Sequence, residues 1–172
     1  MSQFSEINTS FAVYENAVDF YGIADITLPN IQQITESMEG AGVAGKYDAV
    51  VRGHIDTMKM SIQFRNPTAD AFKLFTPETH QLDLRGNIQE RDTVSGVRNV
   101  GVKHVVTCEP INLDLGKLAN YAKGDTKAEY TVTSITTYMN GKEVLCVDPF
   151  NYTFRVNGKD YLEEPRKNLG KA

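Results

Sequence analysis

Tryptophan is absent from the 172 residues, cysteine occurs twice and histidine three times. Lysine and arginine (18) are outnumbered by aspartate and glutamate (22), for a net charge of −4. No stretch reaches the ~20 consecutive apolar residues of a membrane-spanning helix, so membrane insertion is not expected. Each scarcity removes a class of function. A dedicated nucleic-acid binder would carry a basic patch and a high pI, whereas the pI here is about 5.4. A sugar platform or base-stacking groove needs several exposed aromatics on one face, but the eight Tyr and eight Phe are spread along expected core faces. Cys108 and Cys146 stand in no metal or redox spacing and are expected to be reduced, buried strand residues. His54, His80 and His104 fall in separate strands or loops without a ligand at i+4 or zinc spacing. No Gly-x-Ser-x-Gly elbow occurs, and Glu163-Glu164 beside Pro165 and Arg166 belongs to a solvated tail. Neither catalytic residues nor a cofactor nor a metal is expected. The first residues, Met1-Ser-Gln-Phe-Ser-Glu6, lack the basic and apolar regions of a signal peptide, so synthesis and first use are expected in the cytoplasm.

What is abundant is alternation of period two, the mark of half-buried strands. Met58, Met60, Ile62 and Phe64 alternate with Lys59, Ser61, Gln63 and Arg65. Val18, Phe20, Ala24, Ile26 and Leu28 form one face of an earlier strand that Pro29 interrupts, and the run from Ile31 to Glu39 resumes as another. Leu82, Leu84 and Ile88 alternate with polar residues, Gly86 marking a bend or bulge. Gln89 to Arg98 reads as a turn and Val100 to Glu109 as a strand that Pro110 breaks. Ile111 to Leu115 alternates again, and Leu118 to Thr126 is a loop. From Ala128 to Tyr161 two Asn-Gly pairs, Asn140-Gly141 and Asn157-Gly158, bracket β-prone runs and predict a long hairpin closed by type I′ turns. Within it Phe150, Tyr152, Phe154 and Val156 are expected on one buried face. The expected core residues are therefore Met60, Ile62, Phe64, Phe150, Tyr152, Phe154 and Val156.

One helix is expected, from Asn66 to Phe75, with Asn66 as N-cap, Pro67 at the first helical position and an end near Pro77. Met1 to Asn16 is weakly patterned and expected as an arm, loose or ordered by a partner. The whole chain, 1–172, is expected to form a single domain with this arm at 1–16 and a C-terminal tail at 163–172. Seven or eight strands and one helix predict a mainly β (α+β) fold. Two packed antiparallel sheets would form a sandwich or partial barrel, with the helix over an open edge.

Gly40-Ala-Gly-Val-Ala-Gly45 is the most flexible segment by composition. Lys46 is followed by Tyr47 and strand-like sequence rather than a helix, so a phosphate cradle is not expected. If exposed, Met38, Val43 and Tyr47 would offer an apolar contact to another chain. Long antiparallel edges likewise invite a neighbour unless covered, and several subunits can close a barrel together. A monomeric β-sandwich module binding a ligand such as a carbohydrate remains the competing reading.

Phe20-Tyr-Gly-Ile-Ala-Asp-Ile-Thr-Leu-Pro29 followed by Glu39-Gly-Ala-Gly-Val-Ala-Gly45 resembles the N-terminal signature of the major tail tube proteins of contractile-tailed phages and phage-tail-like bacteriocins. Thr136-Thr-Tyr-Met-Asn-Gly-Lys-Glu-Val-Leu-Cys-Val-Asp148 and Val156-Asn-Gly-Lys-Asp-Tyr-Leu-Glu-Glu-Pro-Arg-Lys-Asn-Leu-Gly170 are similar to that family's closing hairpin and tail. The likeness runs from Asp19 to Gly170. It implies a non-enzymatic virion subunit without cofactor, assembled in the bacterial host cytoplasm. Its partners would be its own copies in stacked hexameric rings, a tail sheath protein outside, and tape-measure protein in the lumen. In a phage, DNA would pass through without specific binding, which the acidic balance suits. The glycine loop, with Met38, Gly40, Gly42, Val43, Gly45 and Tyr47, is the expected inter-ring contact.

Overall fold

The computed structural model describes residues 3–16, 18–19, 23–40, 42, 44–69 and 71–171. The strands are β1 (Gln3–Glu15), β2 (Val18–Asp19), β3 (Ile23–Thr27), β4 (Gln33–Met38), β5 (Tyr47–Ile55), β6 (Met58–Phe64), β7 (His80–Asp92), β8 (Gly96–Asp114), β9 (Thr126–Met139), β10 (Lys142–Asp148), β11 (Thr153–Val156) and β12 (Lys159–Asp160). A 3₁₀ helix (Ala71–Phe75) and one short α-helix, α1 (Glu163–Asn168), complete the described elements. The fold is mainly β, as expected, and all pairings are antiparallel. One sheet runs β12-β11-β10-β9-β8-β7-β1-β2, with β6 and then β3 added to β9, and β4–β5 form a second, two-stranded sheet. The large sheet is open and does not close into a barrel.

β9 organises the architecture because its two halves serve different neighbours. One edge pairs with β8; the other pairs first with β6, over Thr126–Val132, and then with β10, over Ile135–Met139. Between these halves Thr107 faces Ser134 and Cys108 faces Val132, leaving Thr133 as a bulge. An inserted residue reverses which parity faces inward. Thr126, Ala128, Tyr130 and Val132 are buried before the bulge, and Ile135 and Thr137 after it. Both halves therefore turn a face toward one core. That core holds Val13, the whole inner face of β6 (Met58, Met60, Ile62, Phe64), Leu82 and Leu84, Val106 and Cys108, Tyr130, Ile135 and Val147. The burial of Met60, Ile62 and Phe64 follows the sequence expectation.

Tyr130 is fully buried and its hydroxyl has no hydrogen-bond partner among the described residues. Burial, with Cys108 and Glu15 nearby, pushes the phenol well above its ordinary pKa, so it stays neutral. An unsatisfied buried hydroxyl costs ~1–3 kcal/mol. Tyr130→Phe is therefore expected to leave stability unchanged or raise it by about 1 kcal/mol, read as a shift in denaturant midpoint at constant slope.

Several expectations are corrected. Of the expected arm at 1–16, the described residues are not loose: β1 pairs with β7 from Gln3 to Tyr14, with bulges at Glu6 and Thr9. The strand expected from Val18 to Leu28 is split into β2 and β3; Phe20 lies outside the described residues. Gln89 to Arg98 is mostly ladder, because β7 continues to Asp92 and β8 begins at Gly96. Gly86 stays in register between Phe11 and Val102, the bulges lying on β1 instead. Pro110 does not break β8. β7 starts at His80 opposite Cys108, so among the described residues one side of β8 has no strand beyond that point, and the proline sits at a register shift against β9. The expected helix shrinks to the 3₁₀ segment, whose Ala71 N–H donates to Thr68 O (3.0 Å). Asn66 does not cap it, since its Oδ1 accepts from Gly124 N–H instead.

Both Asn-Gly turns form as expected, with φ of 49° and 77° at Asn140-Gly141 and 50° and 85° at Asn157-Gly158. The run between them is not one strand. Asp148 carboxylate oxygens accept from the backbone N–H and side-chain amide of Asn151, and Tyr152 N–H donates to Pro149 O. Tyr152 takes φ 47°. Asp-Pro at the first two positions of a turn explains the interruption. Phe150 is consequently 79% exposed and is no core residue. Tyr152 and Val156 are half-buried outside the central cluster, whereas Phe154 packs against it. The tail also gains α1, with Lys167 Nζ 2.6 Å from Glu163 Oε1 one turn away.

Candidate assembly surfaces

The β4–β5 hairpin stands apart from the large sheet. Gln33 pairs with Ile55 at its base and Met38 with Tyr47 at its tip. The base is fixed: Asp56 N–H donates to Gln32 O (2.9 Å), Gly53 N–H to Gln33 Oε1 (3.0 Å), and Leu162 packs on Gly53. At Gly53, φ is 75° and a Cβ would lie 2.7 Å from Leu162 Cδ2, so only glycine lets the tail close on the hairpin. The distal part has no such anchor. Ile34, Met38, Tyr47, Val50 and Val51 are all exposed, Met38 by 46% and Tyr47 by 53%. Neither outer edge of the hairpin is paired among the described residues. A free two-stranded hairpin is at best marginally stable in water.

The glycine connection closes this tip. Gly40, Gly42 and Gly45 are exposed, and a Cβ at any of them would meet nothing within 4 Å. Gly42 has φ 93°, a conformation that disfavours other residues. Lys46 and Glu39 pair across the opening at 2.8 Å. Of the six residues expected at an inter-ring contact, Met38, Gly40, Gly42, Gly45 and Tyr47 thus gather at one projecting tip, and Val43 lies outside the described residues.

A second surface escaped the sequence reading. β1 pairs with β7 on one side, while its other edge carries only β2, at Tyr14 and Glu15. From Gln3 to Val13 that edge is open among the described residues. Edges of this length template another strand unless protected. Beside it, an apolar groove of about 600 Å³ runs toward β3, lined by Phe11, Ile26, Leu28, Leu84, Ile88 and Met139 among others. β3 pairs only with β6, so its other edge is also open among the described residues.

The opposite face of β1, β7 and β8 is polar and tightly cross-linked. Glu6 accepts from Arg91 and Gln89, and these bonds hold its carboxyl below the usual range. Asn87 Nδ2 donates to Thr9 Oγ1 (2.7 Å) and Asn99 Oδ1 (3.1 Å). Asp83 pairs with Lys103 at 3.0 Å and Arg85 at 3.2 Å. Burial works against the Asp83 carboxylate, yet those two cations outweigh it and lower its pKa. The cations of this face are therefore occupied by neighbouring carboxylates. Among the described residues no group of His, Cys, Asp and Glu is placed to hold a metal ion.

Residues 6–170 match the family model of phage tail tube protein FII. The chain belongs to the phage tail tube protein family. The tail tube protein of Escherichia phage P2 is a relative, 26% identical over 163 residues that cover 92% of this chain and 93% of that protein. A tail tube protein is a structural component of the virion tail rather than an enzyme, and it assembles with its own copies into a tube. For such a protein the functional site is its contact surface. The β4–β5 hairpin and the β1 edge are the longest stretches that this subunit leaves without a strand partner among the described residues.

Proposed function

We propose that this tail tube protein, acting as one domain, closes into hexameric rings that stack as the inner hollow tube of a contractile tail or tail-like particle. The sheath protein lies outside and tape-measure protein occupies the bore during assembly in the bacterial host cytoplasm. Edge-to-edge strand pairing, with the open β1 edge as one half of the joint, closes each ring. The hairpin tip, with Met38, Gly40, Gly42, Val43, Gly45 and Tyr47, grips the next ring. The observation that carries this reading is the β4–β5 hairpin: among the described residues neither outer edge is paired, and its distal apolar residues are exposed. If the polar face of β1, β7 and β8 lines the bore, its paired cations would let DNA pass without holding it, since free lysine and arginine on phosphates generate salt-dependent binding.

Proline at Gly42 and Gly45 tests the gripping role. Proline fixes φ near −65°, which the observed φ of 93° at Gly42 cannot meet. The double variant is expected to form subunits or single rings but no long tubes in negative-stain micrographs. Normal tube growth with unchanged ring spacing would refute the assignment.

A further inference from the structure

His80 and Glu15 form a buried pair that the contact surfaces described above do not use. His80 is 6% exposed and Glu15 16% at the side chain. His80 Nδ1 lies 2.7 Å from Glu15 Oε1, and Nε2 lies 3.0 Å from Thr76 O. Thr76 Oγ1 is 3.4 Å from Nε2, but its proton is committed to Lys73 O at 2.9 Å. Nε2 therefore faces acceptors and must carry a hydrogen. With that hydrogen placed, a neutral imidazole would turn the Nδ1 lone pair on the Glu15 oxygen. The short contact requires one further proton between ring and carboxyl, as imidazolium with carboxylate or as imidazole with carboxylic acid.

The surrounding groups do not supply that proton. Cys108 is the register partner of His80 on β8, and burial, with Glu15 and Glu109 nearby, pushes its thiol up to about 12. Tyr130, on β9, has a raised pKa for the same reason, burial, with Cys108 and Glu15 adding to it. Glu109, beside Cys108, accepts from Thr79 Oγ1 at 2.9 Å. None of these neighbours is a cation, so the extra proton is shared between His80 and Glu15 alone.

We propose that Glu15, His80 and Thr76 form a proton-dependent clamp that positions β1 and thereby controls its open edge as an assembly surface. Glu15 ends β1, His80 begins β7, and Thr76 directly follows the 3₁₀ helix. The clamp fixes the end of β1 at which the chain turns into β2. Losing the proton as pH rises leaves a buried carboxylate against a lone pair. The end of β1 then loosens and the open edge loses its fixed register. Protonating Glu15 as well, at acid pH, removes the charge pair from the other side. The link to assembly rests on the reading that β1 joins copies in a ring; the clamp itself does not.

Residue-resolved hydrogen exchange on the full-length protein, corrected for intrinsic exchange rates, reads the clamp directly. As pH is raised until the shared proton is lost, protection at Val13–Glu15 is expected to fall at least tenfold while β9 is unchanged. Glu15→Gln is the decisive variant, because its amide can donate to Nδ1 of a neutral imidazole and the extra proton is no longer needed. It is expected to keep β1 protected with no pH step, whereas His80→Ala is weakly protected throughout. Wild-type protection without a pH step, or the same step in Glu15→Gln, overturns the clamp. Tube yield by sedimentation over the same pH series is expected to fall with β1 protection in wild type and to stay flat in Glu15→Gln. A pH step in exchange without one in yield overturns the control of assembly. Absence of rings or tubes at every pH contradicts the proposed function, with the exchange result standing apart.

Discussion

Met38→Asp combined with Tyr47→Asp is expected to give a subunit that folds like wild type and does not lengthen into tubes. Both side chains are about half exposed in the single chain, at 46% and 53%. Neither belongs to the buried cluster, so the change in unfolding free energy is expected within about 0.5 kcal/mol. In a stacked tube the same side chains would leave water, a gain of up to ~1.5–3 kcal/mol for each fully buried. A carboxylate in their place loses that gain and adds the desolvation penalty of an unpaired charge. On the proposed stacking, the loss would recur at every ring-to-ring contact and multiply around the ring. Sedimentation and electron microscopy check assembly, and a denaturant curve checks the fold. Tubes at wild-type yield would remove the hairpin tip from the stacking contact.

The largest effect on stability is expected from Ile62→Ala. Ile62 is fully buried at the centre of β6, paired with Ile26 of β3 on one side and Ala128 of β9 on the other. Removing a buried isoleucine to alanine costs ~2–5 kcal/mol, a transfer loss plus the cavity left behind. Domains of this size hold ~5–15 kcal/mol in all, so the variant should unfold at much lower denaturant. Phe150→Ala is the paired control. Its ring is exposed on a turn, and truncating it should shift stability by no more than about 0.5 kcal/mol. If Phe150→Ala cost as much as Ile62→Ala, the turn at Pro149 would be misplaced and the closing hairpin would carry a longer strand.

The difference between Ile62 and Phe150 marks what a one-dimensional pattern conveys. β6 reads correctly because its alternation is unbroken and both edges are paired within the chain, so period two maps directly onto burial. β11 reads wrongly because Asp148 and Pro149 form a turn whose side-chain bonds outweigh the apparent alternation. Pro110 errs in the opposite sense: proline reads as a break unless the neighbouring strand has already ended, and that is tertiary information. The exposed glycine loop was legible from its composition, but the pairing of β4 with β5 that carries it was not. β1 was not, since Gln3–Glu15 is largely polar and owes its place to β7 and to side-chain pairs such as Glu6–Arg91. The bulge at Thr133 left no local signal either, although it turns both halves of β9 toward one core. The family resemblance was visible in dispersed segments, and the match over residues 6–170 bears it out.

Cryo-electron microscopy of the purified full-length protein tests the central claim most directly. The expected result is stacked six-fold rings around an open bore, with β1 at the joint between subunits and the β4–β5 tip at the boundary between rings. A monodisperse monomer at high concentration, or tubes in which both the β1 edge and the hairpin tip face solvent, would contradict the account.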